Sequence, residues 1–358
     1  MFYFRAEEAN GFRGVNKMDN VPKVSVVVCS YSHERYSDTI ETIESLVKQS
    51  YQNIEIILVV DRNLDLFKDF NESDYLKSLD NLIIGFSNLP GLSNARNKGV
   101  ELSSGSIIAF IDDDAIADTD WISNLAVFYK DPKVVSVGGP MKPLWISGEA
   151  KWIPEEFYWT MGCSYKSQKD TIHCVRSNFG SNMSFRSMVF SKVGLFNDKY
   201  GLINNNMRTG EETEFGIRIL NTLNNSKIIY NPDAIVYHKI FEFRKSFAFL
   251  VRRCFGYGCA ISNIGSQKKL VDNQLQSTET NFLSYLIKFS FPERLKNIIH
   301  LKSVYTNTAN IVALFTFCMV VFVGFVSGEF IQLINSFSKV VLHFNESSHN
   351  YFGKEKTD

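Results

Sequence analysis

Short apolar runs of strand-forming residues alternate with longer amphipathic stretches in the first part of the chain. The predicted strands are Val24–Cys29, Ile54–Val60, Leu82–Phe86, Ser106–Ile111 and Val134–Gly138. The predicted helices are Asp38–Gln49, Leu64–Leu79, Ser93–Leu102 and Trp121–Lys130. This alternation is typical of βαβ units, in which helices cover a largely parallel sheet. The sequence therefore predicts an α/β fold with helices on both faces of a mixed sheet.

The alternation stops at Gly139, and the segment from Gly139 to Asn206 is rich in Trp, Tyr, Gly and Pro. Such segments are typical of loops that shape a pocket. Beyond it we expect a helix that begins near Gly210 and a strand that ends with Ile235–His238. A basic and aromatic stretch from Phe243 to Lys269 then closes the predicted soluble part.

An uncharged stretch of 26 residues, Ser303–Gly328, lies near the C-terminus. At 1.5 Å per residue it is long enough to cross a bilayer core of about 30 Å. A buried core helix is the alternative, but such helices seldom run this long without a charge. We therefore expect a single membrane span in contact with lipid.

Positive charges precede this stretch: Lys288, Arg294, Lys296 and Lys302. By the positive-inside rule they place the preceding domain in the cytoplasm, at the cell membrane. The predicted organisation is an N-terminal extension (1–21), an α/β domain (22–265), an interfacial amphipathic segment (266–302), a membrane helix (303–328) and a tail (329–358).

Composition excludes several classes of protein. The 38 basic and 38 acidic residues balance, so the positive charge expected of a nucleic-acid binder is missing, and nucleic acid is not an expected partner. The six cysteines form no CxxC pair, which argues against a zinc site and a disulfide framework. Residues 1–22 contain no apolar signal segment.

Three adjacent carboxylates, Asp112, Asp113 and Asp114, follow the predicted strand that ends at Ile111. Adjacent acids repel one another unless a cation is bound, and hard oxygen ligands suit Mg²⁺ or Mn²⁺. Ligands of open α/β folds bind at this edge of the sheet. A polar turn that caps the next helix is the alternative, and the three residues alone leave both open.

The order and spacing of four motifs settle the choice: Val24–Tyr31 (VSVVVCSY), Val59–Asp61 (VVD), Gly91–Gly99 (GLSNARNKG) and Asp112–Asp114 (DDD). Together they resemble the nucleotide-binding half of family 2 glycosyltransferases, which implies the GT-A fold. The resemblance implies that Cys29, Tyr31 and Asp61 contact the nucleoside of the donor.

The same resemblance assigns the acidic motif and its neighbours. Asp112 and Asp114 match the DxD pair that holds the metal, Mn²⁺ or Mg²⁺, and the donor diphosphate, and Asp112 and Asp113 are assigned to the nucleotide. Arg96 is expected to meet a phosphate or a base, with an exposed helix arginine as the alternative. His238 matches a C-terminal histidine that ligates the metal in many GT-A enzymes.

Gly210–Phe215 (GEETEF) resembles the family motif GED, with Glu in place of Asp. The resemblance implies that Glu212 is the general base, with Glu211 as the other candidate. A structural role is also open, because Thr209 and Glu212 have the spacing of a capping box. Glu214 and Arg218 have the spacing of an ion pair along a helix.

Asn178–Arg186 resembles the small-residue strand that precedes the acceptor side of the pocket in this family. Ile153–Cys163 resembles a narrower subgroup, the glucuronosyl- and glucosyltransferases that act on dolichyl- or polyprenyl-linked sugars, with an aromatic core cluster as the alternative. This implies inverting transfer of a hexose or uronic acid from a UDP-sugar to a lipid-linked saccharide, in glycan or glycoprotein assembly. The alternatives are direct transfer to polyprenyl phosphate and a non-catalytic, membrane-bound protein that binds sugar nucleotides.

Overall fold

The computed structural model describes residues 21–166, 170–198, 210–265 and 278–352, with the backbone alone for 263–265, 278–281 and 334–352. The strands are β1 Val24–Ser30, β2 Ile54–Asp61, β3 Leu82–Ser87, β4 Ile107–Asp112, β5 Ala115–Ala117, β6 Val134–Gly138, β7 Met141–Trp145, β8 His173–Cys174, β9 Met183–Arg186, β10 Lys227–Tyr230 and β11 Val236–Ile240. The helices are α1 Tyr36–Val47, α2 Leu64–Glu72, α3 Asp74–Lys77, α4 Leu92–Leu102, α5 Trp121–Ala126, α6 Ser187–Val193, α7 Glu211–Thr222, α8 Phe247–Gly265, α9 Thr278–Tyr285, α10 Phe291–Ile299 and α11 Val304–Phe352.

Eight strands form the main sheet, in the order β3-β2-β1-β4-β9-β6-β10-β8. The first four strands are parallel, and β9 is antiparallel to both β4 and β6. The parallel strands β1 and β2 are apolar and buried along nearly their whole length, because helices cover both faces of the sheet. The predicted α/β class with a mixed sheet is confirmed.

Two apolar layers fill the faces of this sheet. One contains Trp121, whose indole Nε1 donates a hydrogen bond of 2.9 Å to Asn182 Oδ1. In the other, Phe110 packs edge to face against Phe185, Phe190 and Phe196. Burial of these rings holds β4 against β9 and so determines the position of the C-terminal end of β4.

A small second sheet, in the order β5-β11-β7, lies beside the end of β4. His238 of β11 is the register partner of Ala115 of β5, one residue after the acidic motif. The backbone N–H of Lys239 also donates to the carbonyl oxygen of Asp114, at 2.9 Å. This pairing carries a histidine from far along the chain to the carboxylates.

The two largest differences between the structure and the predicted elements concern helices. The expected helix Leu64–Leu79 is two helices, because Ser73 is extended (ψ 117°) and its side chain caps the second helix at Leu76 N. The helix expected to end at Gly328 continues to Phe352, so most of the predicted tail is helical. Gly328 faces Ser262 of α8, where a side chain would collide, so the glycine serves helix packing.

The helix α11 contacts protein along part of its surface. Leu314 and Phe317 are fully buried in a third apolar core with Ile153 and Phe157. The opposite side of the helix exposes apolar side chains such as Phe322. The predicted span therefore packs along one side against the α/β domain, including α8, and is exposed along the other side.

The segment before α11 is helical and amphipathic. One stripe of side chains, Leu286, Ser290 and Arg294, is buried against the protein. Arg294 makes a bidentate ion pair with the fully buried Glu156, at 2.9 and 2.8 Å, and donates to Ser290 Oγ. The apolar side chain of Ile299, like those of Ile287 and Phe289 in the turn before α10, is exposed.

We predict that Arg294→Met destabilises the full-length protein in detergent by about 3–5 kcal/mol, because it leaves a buried carboxylate without its cation. Thermal or denaturant unfolding measures the loss. The matched control is Lys296→Met, which removes an exposed cation two residues away. The double change Glu156→Leu with Arg294→Met should recover most of the stability. Equal stability of the Arg294→Met and Lys296→Met variants would contradict the role of the pair.

Candidate functional site

The predicted site residues lie where the parallel strands of the main sheet end. Cys29 of β1 is the register partner of Asp112 of β4, and Asp61 ends the neighbouring strand β2. The hydroxyl of Ser181 accepts a hydrogen bond of 2.9 Å from the Asp112 backbone N–H. The carboxyl ends of parallel strands thus gather the residues of three motifs at one edge.

The acidic turn between β4 and β5 is held by helix α1. The Thr42 hydroxyl donates to the carbonyl oxygens of Asp113 and Ala115, at 3.1 and 2.8 Å. Asp113 and Asp114 are buried, whereas the Asp112 side chain is 34% exposed. Burial, together with the charge of Asp114, raises the pKa of Asp113 well above its usual value.

Asp112, Asp114 and His238 each offer one ligand atom, and these atoms lie within 4.8 Å of one another. Nε2 of His238 lies 3.3 Å from Asp114 Oδ1, and its buried Nδ1 has no hydrogen-bond partner among the described residues. Burial opposes ionisation of Asp114, but the charges of His238 and Arg244 outweigh it and lower its pKa. Two carboxylates and an imidazole can hold a divalent cation and suit Mn²⁺.

Two arginines that the sequence analysis did not single out also reach Asp114. Arg244 NH2 lies 2.7 Å from Asp114 Oδ2, and Arg35 NH1 lies 3.5 Å from the same oxygen. Arg35 is held over the ring of Phe241, at 4.2 Å from its centroid. Arg244 stands six residues after His238, at the start of the stretch recognised as basic and aromatic, and that position was the available signal.

Arg96 is buried at the centre of the site. Its guanidinium donates to Glu211 Oε1 at 2.9 Å, to the Gly180 carbonyl oxygen at 3.1 Å and to Asp112 Oδ1 at 3.5 Å. A side chain at position 180 would collide with this guanidinium. In this structure three protein oxygens therefore engage Arg96, and its contact with a nucleotide stays a prediction.

The two candidate bases open α7. Gly210 precedes them with φ +104°, a left-handed conformation that favours glycine. Because the helix begins at Glu211 with Gly210 at the N-cap, the predicted capping box places the cap one residue too early, and its Thr209 lies outside the described residues. The predicted pair of Glu214 with Arg218 is confirmed, at 2.9 Å.

Glu211 and Glu212 differ in their surroundings. Glu211 is buried and paired with Arg96, whereas no cation lies within ion-pair distance of Glu212 among the described residues. Burial, and then the charge of Glu211, raises the pKa of Glu212 to about 8. Glu212 is thus the carboxylate at the opening of α7 that no guanidinium engages among the described residues.

The three predicted nucleoside contacts lie at the edge of the sheet. Asp61 Oδ2 accepts from the Gly91 backbone N–H at 3.0 Å, and burial raises the pKa of Asp61. Its Oδ1 accepts no hydrogen bond from a described residue and lies 3.6 Å from Arg62 Nε. Tyr31 is 63% exposed, while Cys29 is half-buried beside Asp112.

The aromatic segment Ile153–Cys163 forms one wall of the site. Its 3-10 helix, Glu155–Met161, buries Phe157 in the third core, as the aromatic-cluster alternative implies. Gly162 follows with φ +85°, and a side chain there would meet the His238 ring at 3.2 Å. The segment therefore packs against the apolar helix α11 on one side and lies against His238 on the other.

We predict that Asp114→Asn weakens Mn²⁺ binding by at least about 10-fold, because it removes a charged ligand. Titration followed by the electron paramagnetic resonance of free Mn²⁺ measures the affinity without turnover. Asp120→Asn makes the same change at a nearby exposed carboxylate and serves as the control. The metal assignment fails if Asp114→Asn binds Mn²⁺ as tightly as Asp120→Asn does.

Comparisons with known proteins agree with this geometry. The family model described as glycosyl transferase family 2 matches residues 25–194. A glucosyl-dolichyl phosphate glucuronosyltransferase from Haloferax volcanii is 36% identical over 311 residues, which cover 86% of this chain and 96% of the relative. A UDP-Glc:alpha-D-GlcNAc-diphosphoundecaprenol beta-1,3-glucosyltransferase from Escherichia coli is 36% identical over 114 residues, or 31% of this chain and 43% of the relative.

A solved structure shares the fold. It is a mannosyltransferase from Pyrobaculum calidifontis in complex with GDP-Man and Mn²⁺, with a TM-score of 0.56, 15% sequence identity and coverage of 86% of this chain and 88% of that one. The mixed sheet is therefore GT-A-like. The chain is an enzyme that belongs to glycosyltransferase family 2.

Proposed function

We propose that this enzyme transfers a hexose or uronic acid, with inversion, from a UDP-sugar to a lipid-linked saccharide. The observation that carries the proposal is the meeting of a three-residue metal-ligand group with a basic carboxylate, Glu212, at one edge of the sheet. The names of the relatives support the substrate classes, since one acts on a dolichyl phosphate glucoside and the other uses UDP-Glc.

Residues at the ends of β1 and β2 are assigned to binding the nucleoside of the donor. Asp61 Oδ1 can accept an N–H from the base, because no described residue donates to it. The exposed ring of Tyr31 is available for stacking, and Cys29 lines the floor beside Asp112. Asp112 and Asp113 belong to the diphosphate side of the same nucleotide.

Asp112, Asp114 and His238 would hold Mn²⁺ or Mg²⁺. When bound, such an ion neutralises charge on the donor diphosphate. Arg244 and Arg35 now balance Asp114, and Arg244 is placed to transfer its contact to a diphosphate oxygen when the donor binds.

The transfer is a single displacement. A hydroxyl oxygen of the acceptor attacks C1 of the donor sugar and forms the new C–O bond. The bond from C1 to the diphosphate oxygen breaks, and its electron pair leaves with UDP. The hydroxyl proton passes to Glu212, whose carboxylate is free of a guanidinium among the described residues, whereas Arg96 engages Glu211.

Direct transfer to polyprenyl phosphate is the less favoured alternative. A phosphate oxygen is already ionised and needs no base to remove a proton. A half-buried carboxylate with its pKa raised to about 8 has a use only where the nucleophile must lose a proton. The placement of Glu212 therefore favours a sugar hydroxyl as the acceptor group.

Attachment to a membrane is part of the proposal. Within the described residues, Val304–Leu333 is the one stretch of helix long and apolar enough to cross a bilayer. The exposed side chains of Lys288, Lys296 and Lys302 precede it. They favour a cytoplasmic catalytic domain at the cell membrane with a single span.

We predict that Glu212→Gln lowers turnover by roughly 10²–10⁴-fold, because an amide cannot accept the hydroxyl proton. The active form is the ionised carboxylate, so wild-type kcat/KM should fall as pH falls below about 8, and this slope should vanish in the variant. The measurement is release of UDP in the presence of a lipid-linked glucoside, across a pH series.

Glu211→Gln is the matched control. It should cost less activity, and loss of the Glu211 charge should lower the pKa of Glu212 and shift the rise in kcat/KM to lower pH. Near-wild-type turnover of Glu212→Gln, or a larger loss in Glu211→Gln, would contradict the assignment of the base.

A further inference from the structure

Arg253 of α8 lies close to the site and has no role in the transfer step described above. Arg253 donates from Nε to the Thr160 carbonyl oxygen at 3.3 Å and is half-buried. Burial, and then the charge of Arg244, lowers its pKa, while the charges of Glu212 and Glu211 act in the opposite direction. Among the described residues, no carboxylate lies within ion-pair distance of this guanidinium.

Arg244 and Arg253 are anchored on consecutive carbonyl oxygens of the 3-10 helix Glu155–Met161. Arg244 NH1 donates to Met161, at 3.4 Å, just as Arg253 donates to Thr160. The Nε of Arg244 is buried without a hydrogen-bond partner in the described structure. The two guanidinium groups repel each other, and their partial burial strengthens this repulsion, so a bound anion stabilises them. Phosphate matches the donor geometry of a guanidinium.

The two arginines face different parts of the reaction. Arg244 donates a hydrogen bond to Asp114, a proposed metal ligand, so the anion that Arg244 would bind is the donor diphosphate. Arg253 has no contact with a metal ligand among those the structure describes, and it belongs to α8, which packs directly against the apolar helix α11. Arg253 therefore serves the acceptor.

The position of Arg253 along α8 indicates what is attached to that phosphate. In the next two turns the backbone at Phe255 lies against Gly324 of α11, and Gly258 lies against Val321. These contacts leave no room for side chains, so α8 runs directly along the apolar helix. The Phe255 side chain is 40% exposed. A phosphate on Arg253 would thus have an apolar surface beside it.

We propose that Arg253 binds the phosphate that joins the acceptor sugar to its lipid. The inference rests on the proposed lipid-linked acceptor, and it adds the group that is recognised and the residue that recognises it. The phosphate on Arg253 fixes the sugar so that its hydroxyl faces Glu212, and the isoprenoid chain follows α8 toward α11.

Equilibrium binding of farnesyl phosphate to the full-length protein in detergent tests this directly, with farnesol as the uncharged comparison. Arg253→Gln should weaken farnesyl phosphate about 10–100-fold, the loss expected of charge-assisted hydrogen bonds, and should leave farnesol and UDP unchanged. Arg253→Lys, which keeps the charge, should fall in between. The matched control Arg252→Gln removes an exposed cation from the same helix and should bind like wild type.

Each other outcome has a defined meaning. Equal binding by Arg253→Gln and Arg252→Gln overturns the proposal, and so does a loss of UDP affinity in place of farnesyl phosphate affinity. The assay requires no turnover, so it separates the two proposals. Arg253-dependent binding of farnesyl phosphate in a protein that transfers no sugar would contradict the proposed function and leave this site intact.

Discussion

Five carboxylates meet in a small volume where β4 ends and α7 begins, and the rest of the site is arranged to make this possible. They are Asp112, Asp113, Asp114, Glu211 and Glu212. Arg96 links the two groups by bonding to Asp112 and Glu211, while Arg244 and Arg35 balance Asp114. Buried like charges of this density are tolerated only with such partners. In the proposed function a cation binds beside Asp112 and Asp114, and Glu212, which has no cation within ion-pair distance among the described residues, serves as the base.

A second chain of contacts joins this site to the helices that carry the apolar surface. Arg294 of α10 holds Glu156 at the start of the 3-10 helix, and the end of that helix holds Arg253 and Arg244 by its carbonyl oxygens. Gly162 then packs against the His238 ring. Through these contacts, helices next to the proposed membrane surface also position the groups that we propose for the acceptor, the donor and the metal.

The sequence predicted the parts that depend on local pattern. The bounds of the first strands agreed to within a residue, while the last strand ends at Ile240 and not at His238. Asp112, Asp114 and His238 are brought together as the family resemblance implied. What it missed depends on distant pairing: Arg244 reaches Asp114 across 130 positions, and Arg294 reaches Glu156 across 138. The helix continues past Gly328, where the uncharged stretch ends, and that glycine packs against Ser262 of α8.

The central claim is a single displacement, with one base on the acceptor hydroxyl and the diphosphate leaving from the opposite face. The stereochemistry of the first product tests it most directly. With an α-linked UDP-hexose as donor, a lipid-linked glucoside as acceptor and Mn²⁺ present, the anomeric proton of the new linkage is followed by NMR from the first turnovers. The account predicts a β linkage throughout. An α-linked product would require a second nucleophile or a front-face path, and would contradict the role assigned to Glu212.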